Sequence, residues 1–559
     1  MDSRRHDKLG ARGREMAGQS VETTDVAVIG YGPVGEMAAV LLGMYGVRTA
    51  VFETKPGPND QPRASTIDDE VMRIFEMAGL VPELLPDMMP TKSIRWVASN
   101  GKVLAEIPFE PGAVSIYGYA TEIHFWQPKL EEVLRNAARK FGHVSVNLGQ
   151  EAVGVEQDAD GITVTVRSNA TGETRPVRAQ YVLACDGGRS PVRHLAEIEA
   201  VGSTDEHPWL VIDAEVKEPL KNLDALQLDV NPDRPSVNYP MPLGHHRWEF
   251  MVMPGEDREA IQQDDVVNKL ISKYTDPAKI KILRKAVYVF HQRVAERWRD
   301  GRLLFAGDAA HMMPPFLGQG MAAGVRDVAN LCWKLAMVIK GTADPRVLDT
   351  YEEERRPHVE AMSEVSARNG KIIQTTNPAV AFLRDSVFKT LNRIPVTREY
   401  ITHMDFKPVP VYETGLIDKD SSGDREPAAG ALFIQPEVQT STGQRVLLDE
   451  VFGPGFAVIA LGTGPAPESA QSPRSRDFWA SLSTRFVQVL PAGATVDPQA
   501  AAQPDTQVVV DVSGRIQAWL EEHDAQGVVV RPDRYVFGVF QADALAQTED
   551  KIRMSHLGE

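Results

Sequence analysis

Two stretches of this chain carry residue types that could do chemistry together: Val28-Ile29-Gly30-Tyr31-Gly32-Pro33-Val34-Gly35 and Gly307-Asp308-Ala309-Ala310-His311. In the first, Gly30 permits a tight turn, Gly32 lets backbone approach a diphosphate, and Gly35 allows a helix to pack closely on a strand. Pro33 suits the first helical position, and the free N–H groups of a helix start favour an anion. Glu53, closing the next apolar run, is placed to accept both hydroxyls of a ribose. In the second stretch, the Asp308 carboxylate follows a strand and can take hydrogen bonds from a polyol. Beyond it, Pro314, Pro315, Gly318 and Gly320 lead into a helix whose start can stabilise negative charge on a reduced flavin. The two stretches thus serve opposite ends of one dinucleotide, FAD. His311 reads as structural, not as a base.

The elements that must position these residues are legible from periodicity. Short apolar runs end at Gly30, at Cys185-Asp186-Gly187 and at Gly307, each running into a helix-compatible segment, as strands of one nucleotide-binding sheet do. A helix is predicted from Pro33 to Tyr45 and another from Gln127, with Pro128 in its first turn. Between Trp209 and Met253, alternating apolar and polar residues predict an antiparallel sheet. After a loop-like stretch rich in Pro, Ser and Gly, apolar runs near Phe456, Phe486, Val508, Gly527 and Tyr535 predict a small α/β unit. The fold class is α/β: a Rossmann-like domain over 21–405 with a substrate-binding sheet inserted at about 92–125 and 200–295, a linker at 406–429 and a second domain at 430–559. The basic, polar residues 1–20 read as a disordered tail.

Bulk properties narrow the function. The net charge of −17 argues against nucleic acid as an obligate partner and offers no attraction to an anionic membrane. No run reaches the length of a membrane span. The two cysteines, Cys185 and Cys332, make no disulfide framework or zinc pattern, which fits a reduced, cytoplasmic compartment and a chemistry without metal.

The motifs resemble those of the class A flavoprotein aromatic monooxygenases, the p-hydroxybenzoate hydroxylase fold. Gly30 to Gly35 matches the family's dinucleotide fingerprint, Cys185-Asp186-Gly187 its Asp-Gly motif and Gly307 to His311 its Gly-Asp motif. Gln61-Pro62-Arg63-Ala64, Gln127 to Glu131, Arg247-Trp248-Glu249-Phe250 and Gly318-Gln319-Gly320 resemble the branch of 3-(3-hydroxyphenyl)propionate hydroxylase-like phenol hydroxylases. That resemblance implies FAD as cofactor, NADH or NADPH as co-substrate, and hydroxylation of a small phenolic compound by O2 through a C4a-hydroperoxyflavin. It implies Arg63, Gln127 and Asp186 as further cofactor contacts. It also implies a thioredoxin-like C-terminal domain lacking redox cysteines, through which a homo-oligomer could form. Same-fold alternatives are denitrating hydroxylation, epoxidation, halogenation, or a non-catalytic flavin-binding assembly protein.

The resemblance sets Pro314 and Pro315 against the flavin ring and substrate, with Phe316, Leu317 and Met321 in apolar contact there. Tyr239, Met241, His245 and His246 are candidates for the substrate pocket, with Tyr239 or a histidine deprotonating a phenol. Arg247 reads as structural.

Overall fold

The computed structural model describes residues 21–58, 62–218, 220, 223–420, 422–462, 472–494, 506–541, 544–555 and 557. The expected tail 1–20 and Gln61 lie outside the described residues.

The apolar runs pair as parallel strands of one sheet. Leu303–Phe305, Thr174–Ala184, Glu22–Ile29, Thr49–Glu53 and Val144–Leu148 lie side by side in that order. Their register sets Leu304, Leu183, Val28, Val51 and Val146 in one row. It follows that Ala306-Gly307, Cys185-Asp186 and Gly30 leave the sheet together at one edge, where α/β sheets bind ligands. The Pro33–Met44 helix rises from the Gly30 turn, with its middle residues buried against the sheet. Close approach requires glycine here: a Cβ on Gly35 would lie 2.0 Å from the Gly30 carbonyl oxygen, and Gly30 itself has φ +96°.

The second sheet runs, in spatial order, Ile280–Tyr288, Trp209–Val216, His245–Met251, Ser236–Met241, Leu226–Asp229, Ser93–Val97 and Val103–Pro108. It departs from the expected antiparallel sheet at one pair: Leu226–Asp229 runs parallel to Ser93–Val97, because the latter arrives from a separate excursion of the chain. Period-two alternation and the register build rows on one face. Trp96, Leu228, Val237 and Glu249 oppose one another across four strands, Ile107, Ile94 and Leu226 across three, and Tyr239 opposes Arg247.

The C-terminal sheet has the order Arg445–Leu447, Glu437–Thr440, Thr506–Val510, Arg485–Leu490, Ala457–Leu461, Gly527–Val530 and Val536–Phe540, with the three central strands parallel. It is welded to the first unit. One apolar core runs through both, Trp333 meeting Phe456 edge-on at 5.7 Å. The 406–429 connection is folded onto both units: Tyr412, Leu416 and Ile417 are buried, and Tyr412 stacks on Tyr535 at 3.9 Å. Exposed large apolar side chains collect on the helices Pro378–Leu391 and Pro395–Thr402, Phe382 and Val396 among them; among the described residues of the C-terminal unit only Met554 is of this kind. No helix among the described residues is long and apolar enough to cross a membrane.

Charges are also buried at the junction. Arg531 donates to Glu354 at 2.7 and 2.9 Å and to Asp533 at 2.7 Å, while Lys334 donates to Glu354 at 2.7 Å, all essentially without solvent contact. Against the upward push of burial, Arg531 and Lys334 hold Glu354 well below the ordinary carboxylate range. Removing one partner from such a cluster strands the others without water. Arg531→Ala is therefore expected to cost on the order of 3–5 kcal/mol, read as a large drop in the thermal unfolding midpoint. A midpoint within a degree of the parent would show that the cluster does not hold the units together.

Candidate active site

The edge of the first sheet and one face of the second enclose a cavity of about 410 Å³, within the range of small-molecule sites. Gly32, Pro33, Arg63, Gln127, Asp308, Pro315, Gly318, Gly320 and Met321 stand on one side of it. Ile94, Trp96, Leu226, Leu228, Val237, Tyr239 and Glu249, members of the cross-strand rows, stand on the other. Phe316 and Leu317 also line it, Phe316 packing against Trp209 and Phe290.

The candidate cofactor residues divide into wall and support. Gly32 caps the Pro33–Met44 helix without a side-chain hydrogen bond, and a Cβ there would meet nothing within 4 Å, so the helix starts beside open space. Gln319 caps the Gly320–Ile339 helix, likewise without a side-chain cap on its amides. Asp308 projects into the cavity, surrounded by protein but open to the cavity itself, and has no hydrogen-bond partner among the described residues. Burial raises it above the ordinary carboxylate range, with His311 and Arg63 opposing. Gly30, Gly35 and Gly307 stand behind the wall and shape the turns. Glu53 ends its strand and accepts from the Tyr31 amide at 2.8 Å, so it braces the glycine turn. Gln127 accepts from the Arg63 and Ala64 amides at 2.6 and 2.9 Å, fixing the loop that presents the exposed Arg63.

The expectations for Asp186, His245, His246, Met241 and Pro314 need correction. Asp186 does not reach the cavity: its oxygens accept from Ser190 at 2.6 Å and from the Val192 amide at 3.0 Å, so it locks its own turn and leaves Cys185 and Gly187 as the wall. His245 faces away, stacked on Trp126 at 4.0 Å and bonded to the Pro242 carbonyl at 3.0 Å. His246 and Met241 are also buried off the cavity. Pro314 stands behind Pro315, its carbonyl accepting from Ser366 at 2.7 Å. His311 is structural: it bonds Asp327 at 2.6 Å, and Asp327 also accepts from the Gly307 amide at 3.0 Å, which fixes the turn below Asp308. Arg247 is structural too, donating to Asp213 at 2.6 Å and to the carbonyls of Arg63 and Pro62.

Ser65, Tyr239, Arg247 and Glu249 are among the polar groups that line the cavity beside the apolar rows. Ser65 and Tyr239 share a 2.7 Å hydrogen bond, and Tyr239 donates to Glu249 at 3.2 Å. Burial raises both Tyr239 and Glu249, while Arg247, 3.9 Å from Glu249, opposes each shift. Lys407 enters from the 406–429 connection, pairing with Asp68 at 2.8 Å. Glu249 and Lys407 were not singled out from sequence. Glu249 sits two residues beyond Arg247 on the same strand face, a signal present in the alternation once the face of Tyr239 is known. Lys407 had no local signal.

An unpartnered carboxylate, open space beside a glycine-rich turn and two uncapped helix starts converging on one cavity fit a dinucleotide with a charged, hydroxylated middle. They define a dinucleotide-binding protein whose second sheet covers the cofactor site. Residues 23–366 match the FAD binding domain family, and residues 430–555 match the HcaD C-terminal domain. A 3-(3-hydroxyphenyl)propionate/3-hydroxycinnamic acid hydroxylase of Burkholderia cenocepacia is 41% identical over 94% of this chain and 95% of its own. One from Klebsiella pneumoniae is 37% identical over 92% and 91%. The flavin-dependent monooxygenase PieE, solved with FAD and substrate, shares the fold with a TM-score of 0.77 at 20% identity, covering 95% of this chain and 99% of that one. The chain belongs to the FAD-binding domain family.

Asp308→Ala is expected to weaken FAD binding on the order of 10- to 100-fold, the loss of hydrogen bonds to a charged group. Titrating apoprotein by flavin fluorescence measures this; an unchanged affinity removes Asp308 from the cofactor site.

Proposed function

We propose that this chain is an FAD-dependent monooxygenase that uses NADH or NADPH and O2 to hydroxylate a phenolic acid of the kind its relatives are named for. The observation that carries this reading is the single cavity joining the Asp308 wall to an apolar slot that ends on the Ser65, Tyr239 and Glu249 hydroxyls and carboxylate. When bound, FAD would carry electrons from the nicotinamide to O2 and so activate it, one atom of O2 entering the ring and the other leaving as water.

The chain's own residues then have distinct tasks. Trp96, Leu228, Val237 and Phe316 hold the aromatic ring and exclude water. A phenol hydroxyl at the end of the slot donates to the Ser65–Tyr239 pair. Tyr239, kept protonated by burial, passes its own proton to Glu249 and takes the phenol's, leaving a phenolate whose ring is more nucleophilic. The proton returns when product leaves. Lys407 is the wall cation suited to the substrate carboxylate: Asp68 holds it, yet its side chain stays 22% exposed, whereas Arg247, held by Asp213, is 2% exposed. Burial raises neighbouring Glu122 to about 8, so at pH 7 it adds little negative charge against that role.

We read the C-terminal unit as thioredoxin-like. A parallel β–α–β pair, Ala457–Leu461 and Arg485–Leu490, lies beside the antiparallel hairpin Gly527–Val530 and Val536–Phe540, which supports this. Neither cysteine lies in it, so thiol chemistry is no part of its task.

Purified protein loaded with FAD is expected to oxidise NADH or NADPH faster when 3-(3-hydroxyphenyl)propionate is added, with little peroxide released; no stimulation by any phenolic acid overturns the reading. Because burial raises Glu249, its ionised, proton-accepting form is lost as pH falls through a value above the ordinary carboxylate range, and kcat falls with it. Glu249→Gln is expected to lower kcat at pH 7 roughly 100-fold, with recovery at alkaline pH where the phenol ionises unaided; a wild-type pH profile in the variant excludes Glu249. Lys407→Met is expected to raise KM for the phenolic acid while leaving KM for a phenol without a carboxylate unchanged. Equal changes for both assign Lys407 to folding alone.

A further inference from the structure

The cavity is held from outside by a buried chain of hydrogen bonds that starts in the C-terminal unit. The Tyr535 hydroxyl, fully enclosed, donates to Glu70 at 2.6 Å. The other Glu70 oxygen accepts from Arg326. Arg326 donates in turn to the side chain of Gln319 at 3.0 Å and to Asp68 at 2.5 Å. Gln319 is the capping residue of the Gly320–Ile339 helix, whose uncapped amides face the cavity, and Asp68 is the residue that holds Lys407. One guanidinium therefore ties the helix start on the cofactor side to the cation on the substrate side, and its own position is set by Glu70.

Tyr535, Glu70, Arg326, Gln319 and Asp68 are almost solvent-free, so none of these five has water as a substitute partner; Lys407 at the end of the chain is partly exposed. If the Tyr535 hydroxyl is removed, one Glu70 oxygen loses its donor in a dry site. Glu70 then turns wholly to Arg326, which alters how Arg326 divides its donors between Gln319 and Asp68. The backbone at Gly318 admits little slack, since a Cβ there would lie 2.2 Å from the Thr66 hydroxyl.

We propose that Tyr535 is a positioning residue for the reaction centre: through Glu70 and Arg326, the C-terminal unit sets the Gln319 helix start against FAD and holds Lys407 in place for substrate. This rests on the FAD reading of the cavity. It gives the C-terminal unit a part in the reaction without any group of its own at the cavity.

The test compares Tyr535→Phe with Ile516→Val, a substitution in the core of the C-terminal unit that touches none of the chain. Tyr535→Phe is expected to weaken FAD binding roughly 2- to 30-fold, to shift the visible absorption bands of the bound oxidised flavin, and to speed amide exchange at Gly318 to Met321. In turnover it is expected to release more peroxide per NAD(P)H consumed. Ile516→Val is expected to lower the melting temperature with flavin affinity and spectrum unchanged. Combining Tyr535→Phe with Gln319→Ala is expected to give less than the sum of the two effects on flavin affinity. A Tyr535→Phe protein with parental flavin affinity, spectrum and coupling, or strictly additive effects in the double variant, overturns the proposal. Parental protein that binds no FAD overturns the cofactor reading, and this inference with it.

Discussion

The Gly320–Ile339 helix buries Arg326, Asp327, Asn330 and Lys334 along with its apolar residues, and groups of this kind are stable inside a protein only when paired. Each partner comes from a different part of the chain. Arg326 takes Asp68 and Glu70 from the start of the Asp69–Met77 helix, and Asp327 takes the Gly307 amide, His311 and Arg355. Asn330 and Lys334 take Glu354, which Arg531 of the C-terminal unit also holds. The units cannot shift against one another without stranding charge in a dry core. Rigidity at the helix start, where the cofactor amides are exposed to the cavity, follows from that pairing.

Around this fixed helix the site is built from two incompatible surfaces brought face to face. The cofactor side offers amides, helix ends and one unpartnered carboxylate, Asp308. The opposite side is a sheet face of Ile, Leu, Val and Trp with a short polar terminus at Ser65, Tyr239 and Glu249. An apolar ring bearing a hydroxyl is complementary to the second surface, and a nucleotide to the first. Placing both in one enclosed volume is what allows redox chemistry at the cofactor to be spent on an aromatic ring instead of on water.

Much of this was legible in sequence because the glycine motifs answer local backbone demands. Gly30 and Gly35 are required by contacts within a few residues or by the adjacent strand, and the strands before Gly30, Gly187 and Gly307 are apolar because both faces of a parallel sheet are covered. Residues whose role depends on distant partners were harder to place. Asp186 follows the family motif, yet its carboxylate is consumed by Ser190 and the Val192 amide, a pairing that emerges only when the turn closes. His245 lies on the strand that carries Glu249, but it sits at the strand's start and is taken by Trp126. Alternation restricted these residues to one face or the other without saying which face met the cofactor. Lys407 lay in a stretch that composition marks as a connection, and it was the fold that set it beside Asp68.

The central claim is that this cavity brings an oxygen-activating cofactor to bear on a phenolic ring. Turnover of the FAD-loaded protein with NAD(P)H and 3-(3-hydroxyphenyl)propionate under isotopically labelled O2 tests it most directly. The account predicts a ring-hydroxylated acid carrying one oxygen atom from the labelled gas. An unaltered acid with all of the label in peroxide and water, or a product whose new oxygen comes from solvent, would contradict it.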